Sequence, residues 1–242
     1  MKKLLIPFLM LISLNIFAQP WKTVQGDGTV KKETRQLTDF TSVSSRGPVD
    51  VKIAYGNSNS IEVEADENLL QYIETTVENG KLVIKPKSNM NLKSDSKMTV
   101  YVSMTKINSL QLSGSGNITG DGQFESDGKT TLMLSGSGNI KLSSGSFNDL
   151  SLFVSGSGNI DVKGGTADNI TASISGSGNI DCSNVSTDDV DAKISGSGNV
   201  RVTASKSINA NISGSGNVFY KGTATNITTK TFGSGKAIKM NS

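Results

Sequence analysis

The sequence predicts an all-β protein: a right-handed parallel β-helix (solenoid) with rungs of about 20 residues and a less regular β N-terminal part. Three observations carry this prediction. The pentapeptide Ser-Gly-Ser-Gly-Asn occurs six times, starting at Ser113, Ser135, Ser155, Ser175, Ser195 and Ser213. Successive starts lie 22, 20, 20, 20 and 18 residues apart, the spacing of stacked repeats. Apolar residues alternate with polar ones on both sides of each copy, the period of strands with one buried face.

Aligned on its first serine, each unit shows fixed apolar columns. The preceding residue is Leu112, Leu134, Val154, Ile174, Ile194 or Ile212, and three before it come Leu110, Leu132, Leu152, Ala172, Ala192 and Ala210. After the asparagine come Ile118, Ile140, Ile160, Ile180, Val200 and Val218, and two further on Gly120, Leu142, Val162, Cys182, Val202 and Tyr220. One such unit cannot bury its apolar face. Stacked in register, the units place Ile on Ile and Leu on Leu at intervals of about 4.8 Å and pair their backbones as a parallel sheet. The alternative, an antiparallel sandwich or barrel, has turns alternating between ends and does not predict the same corner after every unit.

The pentapeptide is expected to be a structural corner, built from Gly114, Gly116 and Asn117, then Gly136, Gly138 and Asn139, then Gly156, Gly158 and Asn159. It continues with Gly176, Gly178 and Asn179, Gly196, Gly198 and Asn199, and Gly214, Gly216 and Asn217. Glycine supplies dihedrals that a Cβ resists, and stacked asparagines can form an amide ladder. A phosphate cradle needs a following helix, whereas a strand follows here, and calcium-binding β-helix repeats carry aspartate at a nine-residue period. A degraded copy, Gly233-Ser234-Gly235-Lys236, closes the chain, and with Thr229 and Thr231 at core positions it reads as a polar C-terminal cap.

Length varies only in the second connection of each unit, so the segments 121–129, 143–149, 163–169, 183–189 and 203–207, of nine, seven, seven, seven and five residues, are expected to be loops and the better place for recognition. One outward column reads Thr119, Lys141, Asp161, Asp181, Arg201 and Phe219. Stacked Asp161 and Asp181 are the raw material of glycoside hydrolysis, or more simply a solvated charge ladder flanked by cations. A second column sets Met133 beside Phe153, a small exposed apolar spot. Cys182, alone in the chain, falls in a core column and is expected to be inert packing rather than a reactive thiol.

The first 18 residues read as a signal peptide: Lys2 and Lys3, an apolar run from Leu4 to Phe17, and Ala18 at the cleavage position. Its removal takes two of the 24 basic residues and none of the 21 acidic ones, leaving a net charge of +1. No basic cluster then remains to imply nucleic acid, and no second apolar stretch approaches membrane-spanning length. The chain has no histidine, which removes the commonest general base and transition-metal ligand. Residues 19–37 read as a flexible lead or edge strand, 38–109 as an irregular β N-terminal part of the solenoid, and 110–242 as regular repeats. In the irregular part, Asn79-Gly80 marks a hairpin, and Asp66–Tyr72 reads as one helical turn capped by Asp66.

The order Gly47-Pro48-Val49-Asp50-Val51, Ile61-Glu62-Val63-Glu64-Ala65, Glu78-Asn79-Gly80-Lys81-Leu82-Val83-Ile84 and Leu110-Gln111-Leu112-Ser113-Gly114-Ser115-Gly116 resembles an exported Bacteroidetes family, the putative auto-transporter adhesin head GIN domain. The resemblance spans about residues 38–220. It implies an all-β, β-helical fold and an envelope or extracellular location, and it brings no catalytic residues with it. The expected function is therefore a non-enzymatic, exported binding, adhesion-like or structural surface without a cofactor. Its expected partners are polysaccharide, an envelope or host protein, or a like chain. The rival is a polysaccharide-active lyase or hydrolase using Asp161, Asp181, Lys141 and Arg201.

Overall fold

The structure, a computed structural model, describes residues 21–57, 60–126 and 128–241. The expected signal peptide, residues 1–18, lies outside the described residues. The chain forms a β-solenoid of about six turns. Its first side stacks Ser109–Gly114, Lys129–Gly136 and the later equivalents in parallel, with Leu110 on Leu132 on Leu152 and Leu112 on Leu134 on Val154. The second side follows each corner and stacks Ile118, Ile140, Ile160, Ile180, Val200 and Val218. These aliphatic columns are buried, and each fully buried Leu, Ile or Val is worth about 1.5–3 kcal/mol. Thr130 stands in such a column and is also buried, because its hydroxyl donates to the Ile107 carbonyl at 2.9 Å.

The segments expected to be variable loops form a third side. Gly145 pairs with Gly165 and Gly165 with Val185, while Phe124, Phe147, Val185 and Ala204 are buried in the core. Length differences are absorbed as bulges, between Gly120 and Gln123 and between Cys182 and Ser186, rather than as protruding loops. At Gly120 the missing side chain leaves room for the Phe124 ring, which would crowd a Cβ there.

The N-terminal part adds two more rungs, out of sequence order. Ser42–Gly47 lies between Lys81–Pro86 and Ser109–Gly114, parallel to both, and Asp50–Tyr55 lies likewise between Thr99–Met104 and Asn117–Glu125. The chain thus lays down one rung, leaves it, builds a rung beneath it, and climbs past it to begin the repeats. Three strands added by antiparallel pairing close this end: Ile73–Glu78 on the first side, and Ser60–Asp66 followed by Val30–Gln36 on the second. Beside them, Lys22–Gln25 and Met90–Lys93 pair as a small parallel sheet.

The single turn of helix, Glu67–Leu70, buries Leu69 and Leu70. Asp66 precedes it but makes no side-chain cap, contrary to the sequence expectation; its carboxylate instead accepts the Ser94 hydroxyl at 2.6 Å. Among the described residues no helix is long and apolar enough to cross a membrane.

Candidate functional site

The structure puts Gly114, Gly116 and Asn117, with their equivalents in every later unit, at the bend between the first and second sides. The two glycines answer different needs. Gly136 has φ +127°, in the region that L residues rarely adopt. Gly138 has no positive φ, yet a Cβ there would fall on the Gly116 carbonyl oxygen of the rung before. In the rung built from Ser42–Tyr55, Arg46-Gly47-Pro48-Val49-Asp50 takes the place of Ser113-Gly114-Ser115-Gly116-Asn117. Here Val49 stands where Gly116 stands one rung later.

The asparagines form one directional chain. Asn139 donates to Asn117 at 2.9 Å, Asn159 to Asn139 at 3.0 Å, Asn179 to Asn159 at 2.9 Å, Asn199 to Asn179 at 3.2 Å and Asn217 to Asn199 at 3.4 Å. Asp50 terminates it as acceptor and the Lys236 backbone N–H terminates it as donor, to Asn217 Oδ1 at 3.0 Å. Backbone N–H donors onto Oδ1 at Asn179, Asn199 and Asn217 fix the direction of the amides. These bonds tie each corner to the one before it.

The outward column of the second side runs the whole length of the molecule. In register it reads Thr34, Glu62, Tyr101, Lys52, Thr119, Lys141, Asp161, Asp181, Arg201, Phe219 and Ile238. At about 4.8 Å per strand it spans about 48 Å. The sequence shows only its later half, because Thr34, Glu62, Tyr101 and Lys52 join it in an order unrelated to their numbering. The alternation of charges along strands that separately face solvent was the available signal.

Asp161 and Asp181 are stacked neighbours, and each is engaged locally. Lys163 reaches Asp161 at 2.6 Å, and that hydrogen bond raises the lysine's pKa. Asp181 accepts the Ser183 hydroxyl at 2.7 Å and its backbone N–H at 3.0 Å. Arg201 packs over the Phe219 ring at 5.2 Å. Behind the pair, Cys182 is buried, and desolvation together with the Asp181 and Asp161 charges pushes its thiol far above the usual range, so it stays protonated.

The early half of the column is concave. Strands on the two sides of Tyr101 border a groove of about 650 Å³ lined by Thr34, Lys52, Glu62, Tyr101, Ser103 and Thr119 among others. The Tyr101 ring has the ammonium of Lys32 at 5.0 Å and that of Lys52 at 5.2 Å from its centroid. Lys32 is in turn bound to Glu62 at 2.6 Å and Glu64 at 3.4 Å, and the Glu62 hydrogen bond raises its pKa above the usual lysine value. The groove therefore offers an aromatic ring, hydroxyls, a carboxylate and ammonium groups on a rigid sheet. On the first side, Met133 is 42% exposed and pairs in register with Phe153, a small apolar spot. Among the described residues no cluster of three or more Cys, Asp or Glu side chains is arranged to hold a metal.

The sequence profile of the family described as putative auto-transporter adhesin, head GIN domain, matches residues 39–224. Three solved structures are similar over nearly the whole chain. A putative adhesin from Bacteroides fragilis NCTC 9343 has a TM-score of 0.80 and 19% identity, covering 90% of this chain and 100% of its own. A putative adhesin from Parabacteroides merdae ATCC 43184 has a TM-score of 0.77 and 23% identity, covering 90% and 99%. A putative lipid binding protein from Parabacteroides distasonis ATCC 8503 has a TM-score of 0.76 and 25% identity, covering 91% and 100%. No curated protein matches the sequence.

Proposed function

The chain belongs to the putative auto-transporter adhesin, head GIN domain family, and from that premise we propose that it is a non-enzymatic, exported binding surface of adhesion-like kind at the cell envelope. The observation that carries this reading is the continuous outward column of the second side, with the Tyr101 groove at one end and the Arg201–Phe219 stack at the other. A rigid row of rings, hydroxyls and charges of both signs at strand spacing suits an extended polymer that repeats along its length. Polysaccharide is the partner class it fits best: the hydroxyls of successive sugars pair with the carboxylate, ammonium and threonine groups of the column.

The rival reading, a polysaccharide-active enzyme on Asp161 and Asp181, has less support. Both carboxylates sit on an open face and are already bonded to Lys163 and Ser183, whereas a catalytic acid needs a partly desolvated cleft. The test is an array of neutral and acidic polysaccharides probed with the purified protein. Saturable binding that Tyr101→Ala and Lys52→Ala weaken, with no shortening of the polymer, supports the proposal. Polymer cleavage that Asp161→Asn abolishes overturns it.

A further inference from the structure

The two ends of the solenoid are finished differently. At the N-terminal end the core is plugged by Leu69, Leu70, Ile73, Leu92 and Met98, all buried. The edge strand there, Val30–Gln36, carries Lys31, Lys32, Glu33 and Arg35, and charged edges resist further pairing. Arg35 also occupies the neighbouring backbone, donating to the carbonyls of Ile73 at 2.6 Å and Leu70 at 2.9 Å.

The other end is finished differently, with a threonine-rich strand whose only charge is positive. The last first-side strand, Asn226–Gly233, pairs on one edge only, with Ser207–Gly214, and all eight of its residues are exposed. Ile227, in the register of buried Ile208, is 38% exposed, and Phe232 is 78% exposed. Ile238, on the last second-side strand, is 37% exposed. Thr229 and Thr231, the expected polar cap, stand in register with buried Ala210 and Ile212, on a strand whose outer edge is unpaired among the described residues.

This end is also uniformly cationic. After Asp191 the chain carries Lys193, Arg201, Lys206, Lys221, Lys230, Lys236 and Lys239 and no acidic residue. Lys230, Lys236 and Lys239 all lie in the terminal rung and are exposed. A second copy stacked tail to tail would set these three against three like charges, which charge repulsion disfavours.

We infer that the open end accepts one extended acidic segment of a partner protein, which adds to Asn226–Gly233 as a further strand. Main-chain hydrogen bonds to the free edge supply the affinity. Carboxylates on the strand's outward face meet Lys230 and its neighbours, and apolar side chains on the other face cover Ile227 and the end of the core. The site is remote from the Tyr101 groove and stands independently of the polysaccharide reading.

The test is fluorescence anisotropy with the purified full chain and an eight-residue peptide alternating valine and glutamate. The expected result is saturable binding that weakens with added salt and rises in Kd by about tenfold or more in Lys230→Glu/Lys239→Glu, whose melting temperature stays that of the parent. The same peptide with lysine in place of glutamate, or N-methylated at every amide, should not bind. The inference is overturned by absence of binding, by equal binding of the lysine or methylated peptide, or by self-association of the protein that the charge reversal abolishes. It is equally overturned if phosphatidylglycerol vesicles bind this end while the peptide does not.

Discussion

Asp50 Oδ1 accepts both the backbone N–H of Asn117, at 2.8 Å, and its side-chain amide, at 2.9 Å, across 67 residues of chain. This contact joins the irregular N-terminal part to the first regular unit. It also orients everything beyond it. A carboxylate can only accept, so Asn117 must present its amide N–H to Asp50 and its oxygen to Asn139, and each later asparagine repeats that choice. The amide dipoles then all point their positive ends toward the anion, a favourable arrangement of the kind seen at a helix N-terminus.

Removing the anchor should cost more than neutralising it. Asp50→Ala leaves two donors of half-buried Asn117 unpaired and is expected to lower unfolding stability by about 2–3 kcal/mol. Asp50→Asn keeps an acceptor in place and should cost clearly less. Urea denaturation of the two variants side by side measures the difference.

Within the ladder, Asn159→Ala removes the donor to Asn139 and the acceptor from Asn179 together. The expected loss is about 1–3 kcal/mol, and hydrogen exchange should rise most at the corners on either side.

The corner glycines separate by mechanism. Gly138→Ala drives a Cβ into the Gly116 carbonyl and the Leu112 side chain, and both are held by stacking, so a loss of about 3 kcal/mol or more is expected. Gly164→Ala is the control. Its Cβ would meet no atom closer than 3.8 Å, and there is no positive φ, so stability should stay level or rise by about 0.4–1 kcal/mol. Thermal melts of both proteins provide the comparison.

Cys182 gives a pH signature. Burial raises its folded-state pKa above the ordinary 9.0, so folding favours the protonated thiol. Its contribution is complete below the unfolded-state pKa and is lost as pH climbs above about 9, at about 1.4 kcal/mol per pH unit. Cys182→Val, the residue carried by its column neighbour Val202, removes this slope while filling the core. Parent and variant stabilities measured from pH 7 to about pH 10.5 should converge and then cross toward the variant. The native thiol should also resist Ellman's reagent until the chain is unfolded.

The regular units were legible in the sequence because each core position recurs at one offset from an unmistakable corner. Leu112, Leu134 and Val154 all stand one before the serine, and all stack. The rung Ser42–Tyr55 was not legible as a rung. Its corner keeps only Gly47 and the ladder position Asp50 of the pattern, and its spatial neighbours Lys81–Pro86 and Ser109–Gly114 lie far away along the chain. The third side was misjudged for a different reason. Its Ser- and Gly-rich composition resembles loop, and bulges break the alternation, so Phe147 and Val185 do not fall at one common offset. The outward column of the second side was legible from Thr119 onward and invisible before it for the same topological reason as the early rung.

If the second side is the binding face, a face-by-face comparison of variants shows it. The polysaccharide that binds best on the array is titrated against two variants, Tyr101→Ala/Lys52→Ala/Arg201→Ala on the second side and Met133→Ser/Phe153→Ser on the first. The second-side variant should lose about tenfold or more in affinity while the first-side variant binds as the parent does. Equal affinity of the parent and the second-side variant, or a loss confined to the first-side variant, would contradict it.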